Sequence, residues 1–551
     1  MKDPKGNITK YSYADRWFDS SCPTSTNPQA YLTSVTNAVN QTTYYNYDSC
    51  TGEVGSFQDP NNNLTKFTYD VMGRTLGISY PDGGSETVLY SDTAPAAPNS
   101  IQTTKVASPN PNVVSTTIFD GLSRKVQTQV SDPSGADYVD TTYDSLGRVS
   151  TVSNPYRYGV PSIMNGVTTY GYDALSRKTY ELEADGTSKQ YWCYDGAADP
   201  AHPQSNCHSN GSSFTSGTWV DHSDEVGNNW QHVSDAEARL RAVIEPYSYE
   251  TDYLYDGFSD LKQVDQWGGA HGSATDHQRL FSYDALSRLT SATNPETGTV
   301  GYGYDADSNV VTKTDARGVT TTYSYDPLNR LVGKSYAGDV AATPWSCYQY
   351  DGASTANQVG RIINEWTQSA AIGACATIAP TTGFLSKRSF LLYDPMGRIK
   401  SEWQYTLANS SGTPYKPVYT YDLAGNLLTS TDGTTPSPTT SGATLTFAYT
   451  RDQASHLLTV SSNWSDSVHP ASLFSAQTGL TPSPCGTTYS STIPYAAFGG
   501  LMNATLGSSI TLNRGYYTRL WMECEIDGSA GAAAATSGSA TIGITGNEQI
   551  K

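Results

Sequence analysis

The sequence predicts an all-β protein, an array of antiparallel β-hairpins winding into a large curled or spiral β-shell. Three observations carry that prediction. First, one short phrase recurs: Tyr283-Asp284, Tyr304-Asp305 and Tyr325-Asp326 follow one another at a spacing of 21 residues. Self-similarity at a fixed period is the mark of a repeat architecture. Second, the residues before each pair alternate, as in Tyr302-Gly303-Tyr304 and Tyr323-Ser324-Tyr325. A period of two places the tyrosines on one face of a strand and the small residues on the other. Third, the chain holds 40 Tyr and 48 Gly but only 15% charged residues, with almost no helix-favouring run.

Each unit reads as strand, turn, strand, turn. The first strand ends at the Asp, whose carboxylate accepts hydrogen bonds from backbone N–H groups ahead of it in a four-residue turn. Glycine at the fourth turn position takes the left-handed conformation of a three-residue hairpin loop. Many copies carry Ser or Asn there instead (Ser123, Ser176, Asn329). Arg or Asn then leads a second alternating run, such as Leu289-Thr290-Ser291-Ala292-Thr293, which stops at the turn signal Asn294-Pro295-Glu296-Thr297-Gly298.

In chain order, residues 3–13 parallel residues 59–69, so the sequence opens in the middle of a unit rather than on a signal peptide. This leads us to expect a longer array around it. Units follow at Tyr47, Tyr69, Phe119, Tyr143, Tyr172, Tyr255, Tyr283, Tyr304, Tyr325, Tyr393 and Tyr421. Tyr449 keeps the aromatic without the Asp, Asp235–Leu240 keeps the turn without the Tyr, and Tyr495–Leu501 is a degraded copy. The residues expected to build the repeat turns are Tyr69, Asp70, Gly73 and Arg74; Tyr143, Asp144, Gly147 and Arg148; Tyr283, Asp284 and Arg288; Tyr325, Asp326 and Arg330; and Tyr393, Asp394, Gly397 and Arg398. Groups that recur in every unit are scaffold, whereas an active site is normally unique.

Ser-, Thr-, Gly- and Pro-rich insertions are expected as loops near 91–112, 197–218, 266–278, 341–386 and 461–492. Residues 1–527 read as one wall, and 528–551 as a low-complexity tail or the start of a further repeat. About a dozen units imply more than twenty strands, and open sheets rarely exceed ~10 strands without curling, splitting or closing. The alternative is a β-propeller, since two units supply the four strands of one blade. The eight cysteines form sequence-adjacent couples: Cys22/Cys50, Cys193/Cys207, Cys347/Cys375 and Cys485/Cys524. We read these as local disulfides made in an oxidising compartment.

Tyr-Asp-x-x-Gly-Arg, at Tyr69–Arg74, Tyr143–Arg148 and Tyr393–Arg398, resembles the YD repeat of the rearrangement-hotspot (Rhs) family. So does the Thr-rich lead through Thr320–Arg330. The resemblance covers most of residues 1–527 and extends to toxin-complex and teneurin proteins. It implies a hollow β-shell, in the toxins one that encloses a C-terminal effector until delivery, and a secreted or bacterial cell-surface location. This sequence reads as a stretch of such a wall without the Rhs core or the effector.

Net charge is −19, which argues against a nucleic-acid backbone or an anionic membrane as partner. No apolar run approaches the ~18 residues of a membrane span. There is no HExxH, no Gly-x-Ser-x-Gly and no phosphate-cradling loop. Cys193, His202, Cys207 and His208 fit no standard zinc-finger spacing. Asp305-Ala306-Asp307-Ser308-Asn309 resembles half a calcium loop without its distal Glu. No catalytic residue, cofactor or metal site is therefore expected. The leading function is a structural scaffold, part of a shell that encapsulates or delivers an effector, with that effector or other shell segments as partners. The alternative is a surface adhesion module whose tyrosines contact a glycan or a cell-surface protein. A hydrolase ranks third.

Overall fold

The computed structural model describes residues 1–14, 16–22, 31–92, 99–159, 164–194, 218–273, 276–407, 412–433, 444–466, 468–476, 494–507, 510–529 and 542–543. Among these residues the chain forms a 31-stranded sheet, from Lys10–Tyr13 to Ile399–Tyr405, and a nine-stranded sheet, from Tyr419–Tyr421 to Ile542–Gly543. Bridges from Ser401 to Val418 and from Gln404 to Tyr415 carry the wall across the junction. The named strands pair antiparallel and almost always with their chain neighbours; the short strand Tyr156–Arg157 instead reaches back to Asp137 and Tyr138. This is one long meander rather than a ring of four-stranded blades. The first strand is not paired with the last, so the sheet curls without closing.

The YD turns supply the curl. In the Tyr69 unit, Asp70 N–H donates to Arg74 O (2.9 Å) and Gly73 N–H donates to Asp70 O (3.0 Å). The register slips by one residue between Thr68 and Tyr69. The same slip falls at Tyr143, Tyr283, Tyr325 and Tyr393. Each is a β-bulge, and a bulge sharpens the local right-handed twist, so repeating it bends the wall steadily one way.

The bulge demands a positive φ at the fourth turn position. Gly73 (77°) and Gly147 (82°) meet it freely, whereas Ser123 (60°), Ser176 (63°), Ser287 (57°) and Asn329 (59°) hold it against their Cβ. A Cβ at Gly73 meets no atom within 4 Å, so a substitution there is charged for φ alone. Left-handed backbone costs an L-residue roughly 1–2 kcal/mol. We expect Ser287→Gly to raise unfolding stability by ~1 kcal/mol and Gly73→Ala to lower it by a similar amount, read as opposite shifts of the urea midpoint.

The wall is one layer thick. Most strand residues are half-buried rather than buried, as expected when both sheet faces meet solvent. Apolar cores are local. One gathers Cys347, Trp366 and Phe384, with Cys375, Ala379 and Tyr405 packed against them. The disulfides Cys22–Cys50 and Cys347–Cys375 are formed. Cys193 is also disulfide-bonded; Cys207, Cys485 and the Cys524 side chain lie outside the described part.

The spans read as loops contain strands. Asn99–Lys105 lies within 91–112, Trp345–Tyr350 and Ile362–Gln368 within 341–386, and Ser472–Ala476 within 461–492. Strand Met522–Ser529 crosses position 527. Sheet pairing overrides loop-like composition here: Asn99–Lys105 bonds along its whole length to both neighbours. Of 197–218, only residue 218 is described.

Candidate functional site

Two kinds of contact hold the wall together: one joins successive units, the other joins successive coils. Within a unit, the Arg closes on the turn Asp. Arg74 Nε–H donates to Asp70 Oδ2 at 2.6 Å, and Arg148, Arg288 and Arg330 do the same to Asp144, Asp284 and Asp326 at 2.7 Å. Arg398 repeats it on Asp394. The guanidinium then lies over the tyrosine of the next unit: Arg148 over Tyr172 (4.8 Å), Arg288 over Tyr304 (4.8 Å), Arg330 over Tyr350 (4.4 Å) and Arg398 over Tyr421 (4.9 Å). The tyrosine hydroxyl donates back to a carbonyl of the unit before it, as Tyr69 does to Val54, Tyr143 to Lys125, Tyr325 to Val310 and Tyr393 to Ile362 (2.6–2.9 Å). Burial pushes the phenols of Tyr69, Tyr283 and Tyr325 up, and that of Tyr393 to about 12. Hydrogen bonding from Arg288 holds the Asp284 carboxyl below the usual carboxylate range.

The second contact spans 294 to 364 residues of sequence. Connecting turns of the early units sit on the YD turns of the late ones. Lys5 Nζ pairs with Asp305 Oδ2 at 2.6 Å. Asn61 exchanges two hydrogen bonds with the Val359 backbone (3.0 and 2.8 Å). Arg398 reaches Asp82 (2.8 Å), and Asn110 donates to Asp422 (2.8 Å). Asn154 donates to Thr518 O (2.6 Å), and Arg519 pairs with Glu225. The sheet is therefore a spiral whose next coil rests on the turn edge of the last. Near its end the seam gains an apolar core of Met164, Ala496, Met502 and Tyr516.

The seam distinguishes otherwise identical turns. Asp394, Asp422 and Asp452, in the late coil, are buried. Asp70, Asp144 and Asp284, in the early coil, stay partly exposed. Early turn tips stand out in solvent, among them Val71, Met72, Leu122, Leu146, Phe258 and Leu286. Among the late turns Leu423 and Phe498 are half-buried, and Met396, the counterpart of Met72, is 42% exposed against 73%.

One buried polar cluster lies in this seam. Arg157 Nε meets Asp137 Oδ1 at 2.7 Å, its Nη2 meets Asp132 Oδ2 at 3.1 Å, and its Nη1–H donates to Tyr495 O at 2.8 Å. From the late coil, His456 Nδ1 meets Asp452 Oδ2 at 3.0 Å and stands 3.8 Å from Asp132 Oδ2. The His456 ring stacks on Tyr495 at 4.5 Å. Three carboxylates thus face a guanidinium and an imidazole in a site largely closed to water. Burial drives Asp137 up to about 6 despite Arg157. The hydrogen bond that His456 donates to the Asp452 carboxylate raises the imidazole, with burial opposing it.

None of these five ionisable residues stands out in the repeat phrase. The available signal is Asp452-Gln453-Ala454-Ser455-His456, a turn in which His replaces the usual Arg. Among the described residues, two sets bring two carboxylates and an imidazole within 4.8 Å: Asp132, Asp452 and His456, and Glu250, Asp252 and His271. In the first, Arg157 already supplies the cation. No helix among the described residues is long and apolar enough to cross a membrane.

Comparison with known proteins agrees with the repeat chemistry. The family described as RHS Repeat matches residues 304–341. No curated protein matches the chain. The crystal structure of TcdB2-TccC3 aligns at TM-score 0.68 and 14% identity, over 90% of this chain and 27% of that one. TcdB2-TccC3-Cdc42 aligns at 0.68 and 12%, over 90% and 29%. The Photorhabdus luminescens Tc holotoxin pore aligns at 0.65 and 12%, over 90% and 29%. At these identities the likeness is one of fold, and the chain spans under a third of the structures it matches. With an RHS repeat matched in its regular centre and YD turns of the same pattern along a curled β-wall, this chain carries RHS/YD repeats.

Proposed function

We propose that the chain is a non-catalytic wall segment of a shell that sequesters or delivers an effector. The observation that carries this reading is the seam: a one-layer sheet whose coils rest on one another encloses space rather than filling it. The recurrent Tyr, Asp, Gly and Arg residues then serve as fasteners between units. The wall runs through the strand Met522–Ser529, past the expected boundary at 527. The exposed tips at Val71, Met72, Leu122 and Leu146 suit contact with a further shell segment, since equivalent late turns are covered by connecting turns. The disulfides support assembly outside the reducing cytosol, in a secreted or cell-surface setting.

The test is electron microscopy of the complete gene product together with limited proteolysis. A hollow particle, with sequence outside the repeats protected until the wall is cut, is the expected result. A filled particle, or immediate digestion of that sequence, overturns the reading.

A further inference from the structure

A second constellation lies away from the seam, where the strands Glu250–Tyr255 and Leu261–Gln266 give way to the segment 267–273. Glu250 and Asp252 are two apart on one strand, so their carboxylates share a face. The segment folds back over them: Glu250 N–H donates to Gly269 O (2.9 Å), and Trp267 N–H donates to Glu250 O (3.0 Å). This return brings His271 Nδ1 to 2.8 Å from Asp252 Oδ2 and 3.7 Å from Glu250 Oε1. Trp267 Nε1–H donates to Asp252 Oδ2 at 2.8 Å.

The unusual member is Glu250. Its side chain is 8% exposed, and its Oε1 is buried without a hydrogen-bond partner while facing the imidazole. A buried carboxylate oxygen in that position costs free energy unless a donor or a cation meets it. No Lys or Arg pairs with Glu250 among the described residues, unlike the seam cluster with its Arg157.

We propose that Glu250, Asp252 and His271 form a zinc-class divalent cation site that clips the 267–273 segment to the wall. Two carboxylate oxygens and one imidazole nitrogen, with water in a fourth position, make a four-coordinate set of the nitrogen and oxygen donors that zinc accepts. Zinc–ligand bonds of about 2.0–2.2 Å put ligand atoms roughly 3.3–3.6 Å apart, which the present spacing reaches by small side-chain movements. The imidazole selects against magnesium and calcium, which prefer all-oxygen shells. Trp267 orients Asp252 through its indole hydrogen bond. His271 is more than half exposed, which leaves the fourth position open to solvent.

The test is calorimetric titration of ZnCl₂ into the whole chain, chelator-treated, with disulfides intact and no reductant. One zinc per chain, raising the melting temperature, is expected. His271→Ala is the main variant, because an exposed side chain can be removed without disturbing the fold. It and Glu250→Gln should weaken zinc by more than the roughly 10–100-fold that losing a hydrogen-bond partner of a ligand costs. Trp267→Phe should fall within that range. Unchanged zinc affinity in His271→Ala, calcium or magnesium binding as tight as zinc, or no zinc uptake at millimolar metal would each overturn the site.

Discussion

Arg157→Ala lowers unfolding stability by about 3–5 kcal/mol, the usual cost of stranding buried charges by removing one partner. The side chain is 4% exposed and meets two carboxylates that are 3% and 8% exposed. It also anchors the late coil through the Tyr495 carbonyl. Removing it leaves Asp132 and Asp137 facing each other without water. The matched control is Arg288→Ala in a regular unit, where the ion pair is a quarter exposed. There the pair contributes ~0–1 kcal/mol and the contact with Tyr304 about 0.5–1 kcal/mol. Urea denaturation of both variants gives the comparison. Restoring neutrality with Arg157→Met, Asp132→Asn and Asp137→Asn together should recover most of the loss, because a neutral packed site avoids the desolvation of charge. Equal, small effects for Arg157→Ala and Arg288→Ala would show that the seam cluster does not hold the coils.

The same cluster makes the seam strongest in mild acid. Asp137 titrates near 6 in the fold, above its ordinary value near 3.9. A raised carboxylate takes up its proton in the folded state first. Its contribution is full below about 4 and is lost as pH rises through about 6. That gap corresponds to ~3 kcal/mol at one unit per 1.36 kcal/mol. His456 is also raised, so its contribution is full below about 6.5 and fades above that value. Both groups therefore act in one direction from pH 5 to pH 8. Asp305 opposes them in strong acid: it is lowered to about 2, and its pairing with Lys5 is lost as pH falls from about 4 toward 2. The expected result is a urea midpoint that falls from pH 5 to pH 8, with Asp137→Asn flattening the lower part of that slope and His456→Phe the upper. A wild-type midpoint that rises over this range would contradict the account.

The alternating tyrosines and the Asp-led turns were legible in the sequence because both are local: a strand face and a turn each fit within six residues. The interlock was not legible, because its Arg–Tyr pairs keep no fixed distance: Arg288 and Tyr304 stand 16 residues apart, Arg330 and Tyr350 20, and Arg148 and Tyr172 24. The seam was hidden for a different reason. Asp284 and Asp394 sit in nearly the same phrase, yet one is partly exposed and the other buried, and the difference is made by a turn some 300 residues away. No local pattern encodes which coil a turn belongs to. The strands within the Ser- and Thr-rich spans escaped because their pairing comes from neighbours on both sides. Glu250, Asp252 and His271 are likewise joined only by the fold of the segment between them.

The coil-on-coil seam changes how such a wall can fail. In a linear array each repeat is held only by its two neighbours, so fraying can start at either end and run inward. Here a unit near Asp394 is held also by the turn at Asp82, far away in sequence. The repeats thus form a two-dimensional lattice, and opening one of them must break bonds in two directions at once. Cooperativity then spreads sideways as well as along the chain, and a single damaged unit stays pinned by its neighbours in the coil above or below.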